Sequence, residues 1–517
     1  MHEYLLFSLG VAPLLLMVFL ILKIKMPIHY SVLITLALTC VLTFFFWHTP
    51  LKTLESAIIY GAIKGLWPII IVILGAIYSY NLMQATRALD ILREVLTSIS
   101  DDKRIQVLLI SWCFGGFLEA AAGYGTAVAI PIGILIALGF NPLKAAIASL
   151  VANTVPTAFG AVGIPVSILA EQVNLPVNIL GGTIILQLAL FNIILPFVII
   201  SIIGGGLKAI RGVFGITLLC GITTLVPQYF VAIHLGAELP AFAGSLVSLI
   251  AVAVAGRLRN GKTDPAWLIN ADKKSDAPPR SPAVLLKTCS IYILIFVFIL
   301  LCSPLFPGIK AAVSSIASVL HFTLANGQTL SLRIEWIATP GVLIILATII
   351  GGFIQGASAG GMLHIFVKTI LQLKNSIIAI MAIVALATVM DVSGLIGTLA
   401  QTLVDITGGS YVFIAPVIGA LGTFVTGSDT NSNVLFGKLQ TMAAQKLNID
   451  PNWLAAANTS GATGGKMISP QSIAIAVSAT RMEGQGSQIM AGTMKYCVAY
   501  IVILGLKIGL FYYWFMA

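Results

Sequence analysis

Uncharged apolar runs recur along the whole chain. Residues 4–22, 28–47 and 178–203 each lack Asp, Glu, Lys and Arg. Each approaches the roughly 20 residues that a helix needs to cross a hydrocarbon core. At that depth the backbone finds no water, so its polar groups must pair inside helices or around a closed barrel. A barrel would read as short alternating segments, which leaves an all-α, polytopic membrane fold. Composition agrees: 58% of residues are hydrophobic, 9% are charged, and mean hydropathy is +1.03. Soluble domains carry about 25% charged residues. The net charge of +10 is spread over loops, so no compact basic domain exists to bind nucleic acid.

Plain spans fall at about 4–24, 28–47, 65–84, 178–203, 208–232, 240–257, 287–303, 336–354, 376–398 and 494–515. The first has no Lys or Arg before it, and Lys23 and Lys25 follow it. That pattern reads as a retained span with its N-terminus outside. Residues 86–104 alternate charged with apolar side chains, as an interfacial helix does. Residues 258–286 read as a soluble, Pro-rich, basic linker. The six cysteines are scattered without a Cys-x-x-Cys pair, so neither a disulfide framework nor a metal site is expected.

Four segments resist the plain description. Residues 105–140 break at Glu119-Ala-Ala-Ala-Gly123-Tyr-Gly125-Thr126, and 411–447 break at Thr426-Gly-Ser-Asp429-Thr-Asn-Ser-Asn433. Both read as re-entrant hairpins. Residues 143–173 and 452–479 read as helices interrupted near their centres, and they share a pattern. Ala152-Asn153-Thr154 precedes Gly160, Pro165, Ser167 and Ile168; Ala457-Asn458-Thr459 precedes Gly465, Pro470, Ser472 and Ile473 at the same spacings. Paired, Gly/Pro-interrupted segments in corresponding halves point to a binding site at the bilayer midplane.

The basic residues orient this layout. Of 28 Lys and Arg residues, Lys52, Lys64, Lys310, Arg333, Lys438 and Lys446 fall outside, Lys466 and Lys507 fall within membrane segments, and the rest fall inside. Residues 1–203 form a first repeat and 287–517 a second, separated by two spans and the linker within 204–286. An odd number of crossings precedes the second copy, so its topology is inverted. The two hairpins would then enter from opposite faces and meet near mid-membrane.

An ionisable group in lipid costs about 2.5–3.5 kcal/mol on insertion scales and is a functional candidate by default. Glu119 and Asp429 occupy corresponding hairpin tips. Desolvation there favours the protonated carboxyl, which suits proton coupling; the alternative is that each caps a helix or pairs with a lysine. Asp391 is a further proton-relay candidate. Lys466, beside the second helix break, suits either a substrate carboxylate or a structural ion pair. Gly125, Thr126, Asn153, Thr154, Ser428, Thr430, Asn458 and Thr459 complete the expected substrate contacts, through hydroxyl, amide and freed backbone groups. No cofactor is needed.

These stretches closely resemble the bacterial L-lactate permease family. The resemblance lies in Gly116-Phe-Leu-Glu119 through Thr126, Ala152-Asn-Thr through Pro165, Gly427-Ser-Asp-Thr-Asn-Ser-Asn433, and Ala457-Asn-Thr followed by Gly465-Lys-Met-Ile-Ser-Pro-Gln-Ser-Ile473. The family usually has Gly and Phe where this chain has Ala120 and Tyr124. The resemblance implies proton-coupled uptake of L-lactate, with glycolate or D-lactate as co-substrates, across the bacterial inner membrane. The doubled Asn-Thr is also similar to signatures of sodium–dicarboxylate transporters, so sodium-coupled carboxylate transport is the alternative. An intramembrane enzyme would need a converging His, metal or nucleophile cluster, and the sequence offers none.

Overall fold

The computed structural model describes residues 2–123, 125–261, 263–269 and 281–515. Tyr124 and much of the linker expected at 258–286 lie outside the described residues. Twelve helices among the described residues are long and apolar enough to cross a membrane, so the chain is a multi-pass membrane protein. Local chemistry sets where many helices start. Pro142, Pro240, Pro282, Pro340, Pro451 and Pro470 stand at the first helical position of their helices, where a missing N–H costs nothing. Asn141, Ser281, Ser358, Ser428, Asp450 and Ser469 cap helices by accepting from first-turn backbone N–H groups.

The same succession of elements occurs in both halves. A long helix, Leu51–Ala85, leads to the short helix Ala88–Thr97. A hairpin follows, with arms Lys103–Ala121 and Thr126–Ala137. Next come an interrupted helix, Pro142–Ala152 and Ile164–Val173, and the long helix Val177–Gly204. In the second half, Ala359–Val392 leads to the short helix Leu395–Thr407. The hairpin Tyr411–Thr426 and Asp429–Lys446 follows, then Pro451–Lys466 and Pro470–Thr480, then Gly486–Phe515. The second hairpin arm of the first half has 12 residues, about 18 Å at 1.5 Å per residue, too short to cross a core of about 30 Å.

Contacts at the helix ends show which elements share an end of the bundle. At one end Trp47 donates to Thr398 (3.2 Å) and Lys446 pairs with Asp405 at 2.7 Å. This gathers the 47–50 turn, the 395–407 helix and the second hairpin's base. At the other end Arg104 donates to the carbonyls of Ala209 (3.1 Å) and Arg211 (2.9 Å), and Lys144 donates to Ile203 (3.3 Å). Both ends of the first hairpin therefore sit beside the 205–213 loop. The helix Leu51–Ala85 runs between the two ends, with Thr53 accepting from the Ala325 N–H at the first and Thr86 donating to Gln355 at the second.

Three expectations change. Lys64, expected in an outside loop before a span starting at 65, lies within the helix Leu51–Ala85 and pairs there with Glu171 at 3.1 Å. The interfacial helix expected over 86–104 ends at Thr97. Beyond it Asp102 and Arg104 form a buried ion pair at 2.6 Å, and Arg104 lies over the Trp267 ring at 4.8 Å. The guanidinium is thus fully partnered and pins the first hairpin rather than facing solvent. Finally, among the described residues the helical frame carries one β-hairpin, Ala317–Thr323 paired antiparallel with Thr329–Glu335.

Candidate functional site

Two glycines set up the second half of the site. A Cβ at Gly461 or Gly465 would overlap the carbonyls of Pro416 or Ala420, so the helices Pro451–Lys466 and Tyr411–Thr426 touch backbone to backbone. Small residues permit such close approach in membranes. The contact delivers Lys466, the last residue of its helix, to the second hairpin's turn. Its ammonium donates to the Gly427 carbonyl at 2.6 Å. Gly427 has φ of +72°, a conformation that glycine adopts without penalty.

Asn433 ties the segments together. Its side-chain oxygen accepts from Asn458 and from the Thr459 hydroxyl, each at 2.9 Å. Its amide donates to the Pro165 carbonyl at 3.1 Å. One side chain of the second hairpin thereby holds the second interrupted helix and the point where the first one resumes. The aligned prolines have aligned roles, because Ile164–Val173 and Pro470–Thr480 each begin with proline in the first turn. The interruptions themselves differ. The first is wide, with positive φ at Gly160, Val162 and Gly163; the second spans only 467–469.

A cavity of about 350 Å³ lies where these elements meet. Glu119 and Gly123 line it from the first hairpin, and Val425 through Asn431 line it from the second. Thr157, Gly160, Ala161, Ile164 and Pro165 contribute from the first interrupted helix, and Lys466, Pro470 and Gln471 from the second. Three helices begin at its wall, at Ile164, Asp429 and Pro470, and helix N-termini attract anions. Glu119 and Asp429 are only 4% and 3% exposed. Yet Glu119 Oε2 and both carboxylate oxygens of Asp429 are buried without a hydrogen-bond partner. Lys466 acts electrostatically on both carboxylates, while no direct ion pair joins it to either among the described residues.

The expected site residues divide into two groups. Glu119, Asp429, Ser428, Thr430 and Lys466 line the cavity. The others, Asp391 excepted, stand around it. Asn153 donates to Thr157, which lines the cavity, at 3.1 Å. Thr154 and Thr126 turn back onto the carbonyls of Val151 and Gly123, both at 2.8 Å. Gly125, with φ of +86°, shapes the first hairpin's turn. Asn458 and Thr459 are engaged by Asn433. Asp391 lies apart, 3.9 Å from Lys438. Thr157, Asn431 and Gln471 also line the cavity and were not singled out from sequence. The two Asn-Thr stretches do come together, since Thr154–Thr157 packs on Pro451–Lys466. Ala120, one of the departures from the family pattern, is buried.

A predominantly helical, multi-pass bundle with a polar cavity where two hairpins and two interrupted helices meet has the architecture of a membrane transporter. The sequence profile of the L-lactate permease family matches residues 7–515, and the chain belongs to that family. It is 43% identical over 455 residues to an L-lactate permease of Streptococcus iniae, covering 87% of this chain and 93% of that one. It is 34% identical to the glycolate permease GlcA of Escherichia coli, covering 92% of this chain and 90% of the relative. An L-lactate permease of Bacillus subtilis is 33% identical, with 93% and 91% covered.

Proposed function

We propose that this protein carries L-lactate and related small 2-hydroxymonocarboxylates, glycolate and D-lactate among them, together with protons by alternating access. The relatives named as L-lactate and glycolate permeases support the substrate class. The unpartnered carboxylate oxygens of Glu119 and Asp429 beside a single Lys466 support the coupling, and this observation carries the reading. With both carboxyls ionised the cavity already holds an excess negative charge. A substrate carboxylate adds another, and buried unpaired charge is costly. A proton on either carboxyl offsets it and turns an acceptor into a donor. Anion and proton therefore bind best together.

Lys466 and the three helix starts would hold the substrate carboxylate; Ser428, Thr430 and Thr157 offer partners to its hydroxyl. Asn153, Asn458 and Thr459 would position the site from behind. The cavity reaches Ile21 and Ile28, beside the 23–27 turn. The pairs Lys64–Glu171 and Asp391–Lys438 would close the bundle on the other side. Binding would shift the population between this arrangement and one open at the other end. Lys23, Lys25, Lys144, Lys208 and Arg211 cluster at the open end, which supports a cytoplasmic assignment for it and a periplasmic N-terminus. The repeated succession of elements supports two copies of one unit, 1–203 and 287–517, in opposite orientation.

Uptake into proteoliposomes with proton and sodium gradients imposed separately tests this. Accumulation driven by an inward proton gradient alone is expected. Accumulation that needs sodium and ignores the pH gradient establishes the sodium-coupled alternative instead.

A further inference from the structure

The cavity is large for lactate. Lactate has six non-hydrogen atoms; at about 10–15 Å³ of cavity space per water-sized group, it takes up about 60–90 Å³. That is roughly a quarter, at most, of the 350 Å³ present. The lining that remains is of one kind. Ile21, Ile28, Ile73, Ala379 and Ile380 face the cavity from helices that carry none of the hairpin or Asn-Thr segments, with Ser376 the one hydroxyl among them. Ile73, Ala379 and Ile380 are themselves 7%, 3% and 6% exposed, so this wall is packed rather than mobile. The charged groups, and every hydroxyl but that of Ser376, belong to the hairpins and interrupted helices. The site is thus two-sided: a polar side for the carboxylate and hydroxyl, and an aliphatic side that lactate's single methyl leaves uncovered.

We infer that the protein also transports 2-hydroxymonocarboxylates with longer or branched aliphatic tails, from 2-hydroxybutyrate to 2-hydroxyisocaproate. This rests on the 2-hydroxy-acid reading above and extends it along the tail. Each added methylene displaces water from the isoleucine wall, and one methylene in an apolar pocket changes discrimination by about tenfold or more. Glycolate, with no tail, binds weakest of the series. A dicarboxylate such as succinate is excluded, because its second charge meets either that wall or the carboxyls of Glu119 and Asp429.

The test is counterflow. Proteoliposomes holding the full-length protein are loaded with one unlabelled acid at a time, and entry of labelled L-lactate is followed. Internal 2-hydroxyisocaproate is expected to drive entry at least as well as internal lactate, and succinate not at all. Two wall variants then move selectivity in opposite directions. Ala379→Leu shifts the ratio of half-saturation concentrations by about tenfold toward lactate, and Ile73→Ala shifts it toward the branched acid. Lactate driving entry while 2-hydroxyisocaproate does not overturns the inference and leaves the transport reading standing. Absence of labelled-lactate entry with every internal acid, lactate included, overturns the transport reading itself. A ratio unmoved by both variants also overturns the assignment of the wall.

Discussion

The Lys466 ammonium donates to the Gly427 carbonyl at 2.6 Å, so the one cation in the cavity lining is fixed to the turn that carries Asp429. Its remaining hydrogens are free for an anion, since ammonium offers three donors. Lys466→Met is expected to raise the half-saturation concentration for lactate by about tenfold or more, as loss of a charged hydrogen bond does. Initial-rate uptake measures it. An unchanged half-saturation concentration with lower protein yield would assign Lys466 to structure alone.

Glu119→Gln and Asp429→Asn keep shape and remove a titrating carboxyl. At least one of them is expected to abolish accumulation against a gradient while lactate–lactate exchange continues, because exchange needs no net proton movement. Parallel assays of uphill uptake and exchange decide it. Normal accumulation by both variants would remove the coupling role from the pair.

Asn433→Ala strips the acceptor from Asn458 and Thr459 and the donor from Pro165. Interhelical hydrogen bonds in membranes average about 0.6 kcal/mol each, so a loss of about 1–3 kcal/mol is expected when three fail together. Thermal unfolding in detergent reads the loss as a lower Tm, and uptake falls with it.

Lys64 pairs with Glu171 at 3.1 Å, and in the transport reading this pair closes the end of the bundle away from the 23–27 turn. Glu171→Gln is expected to loosen that end and increase labelling of a cysteine placed at Thr430 by a membrane-impermeant reagent from that side. The swap Lys64→Glu with Glu171→Lys is expected to restore protection. Labelling unaffected by either change would mean that the pair does not close the bundle.

Much of this was legible in the chain. The hairpin tips stand out because Glu119 and Asp429 interrupt apolar runs, and the interrupted helices show in the repeated Asn, Gly and Pro spacings. What escaped did so for physical reasons. Lys64 reads as a loop residue because its partner, Glu171, is far away in sequence. Arg104 reads as solvent-facing because its partners include the carbonyls of Ala209 and Arg211. The β-hairpin had a signal, alternation on both sides of Asn326-Gly327, the strongest short-range hairpin signal, set among much longer apolar runs. Asn458 and Thr459 were recognisable as polar groups at a break, but no spacing rule shows that Asn433 engages both.

The central claim is that anion and proton enter together. Proteoliposomes containing a trapped pH indicator, free of sodium and clamped at zero potential, should acidify inside when L-lactate is added outside, and should not when Glu119 and Asp429 are both neutralised by Gln and Asn. L-Lactate entry at an unchanged internal pH would contradict the account.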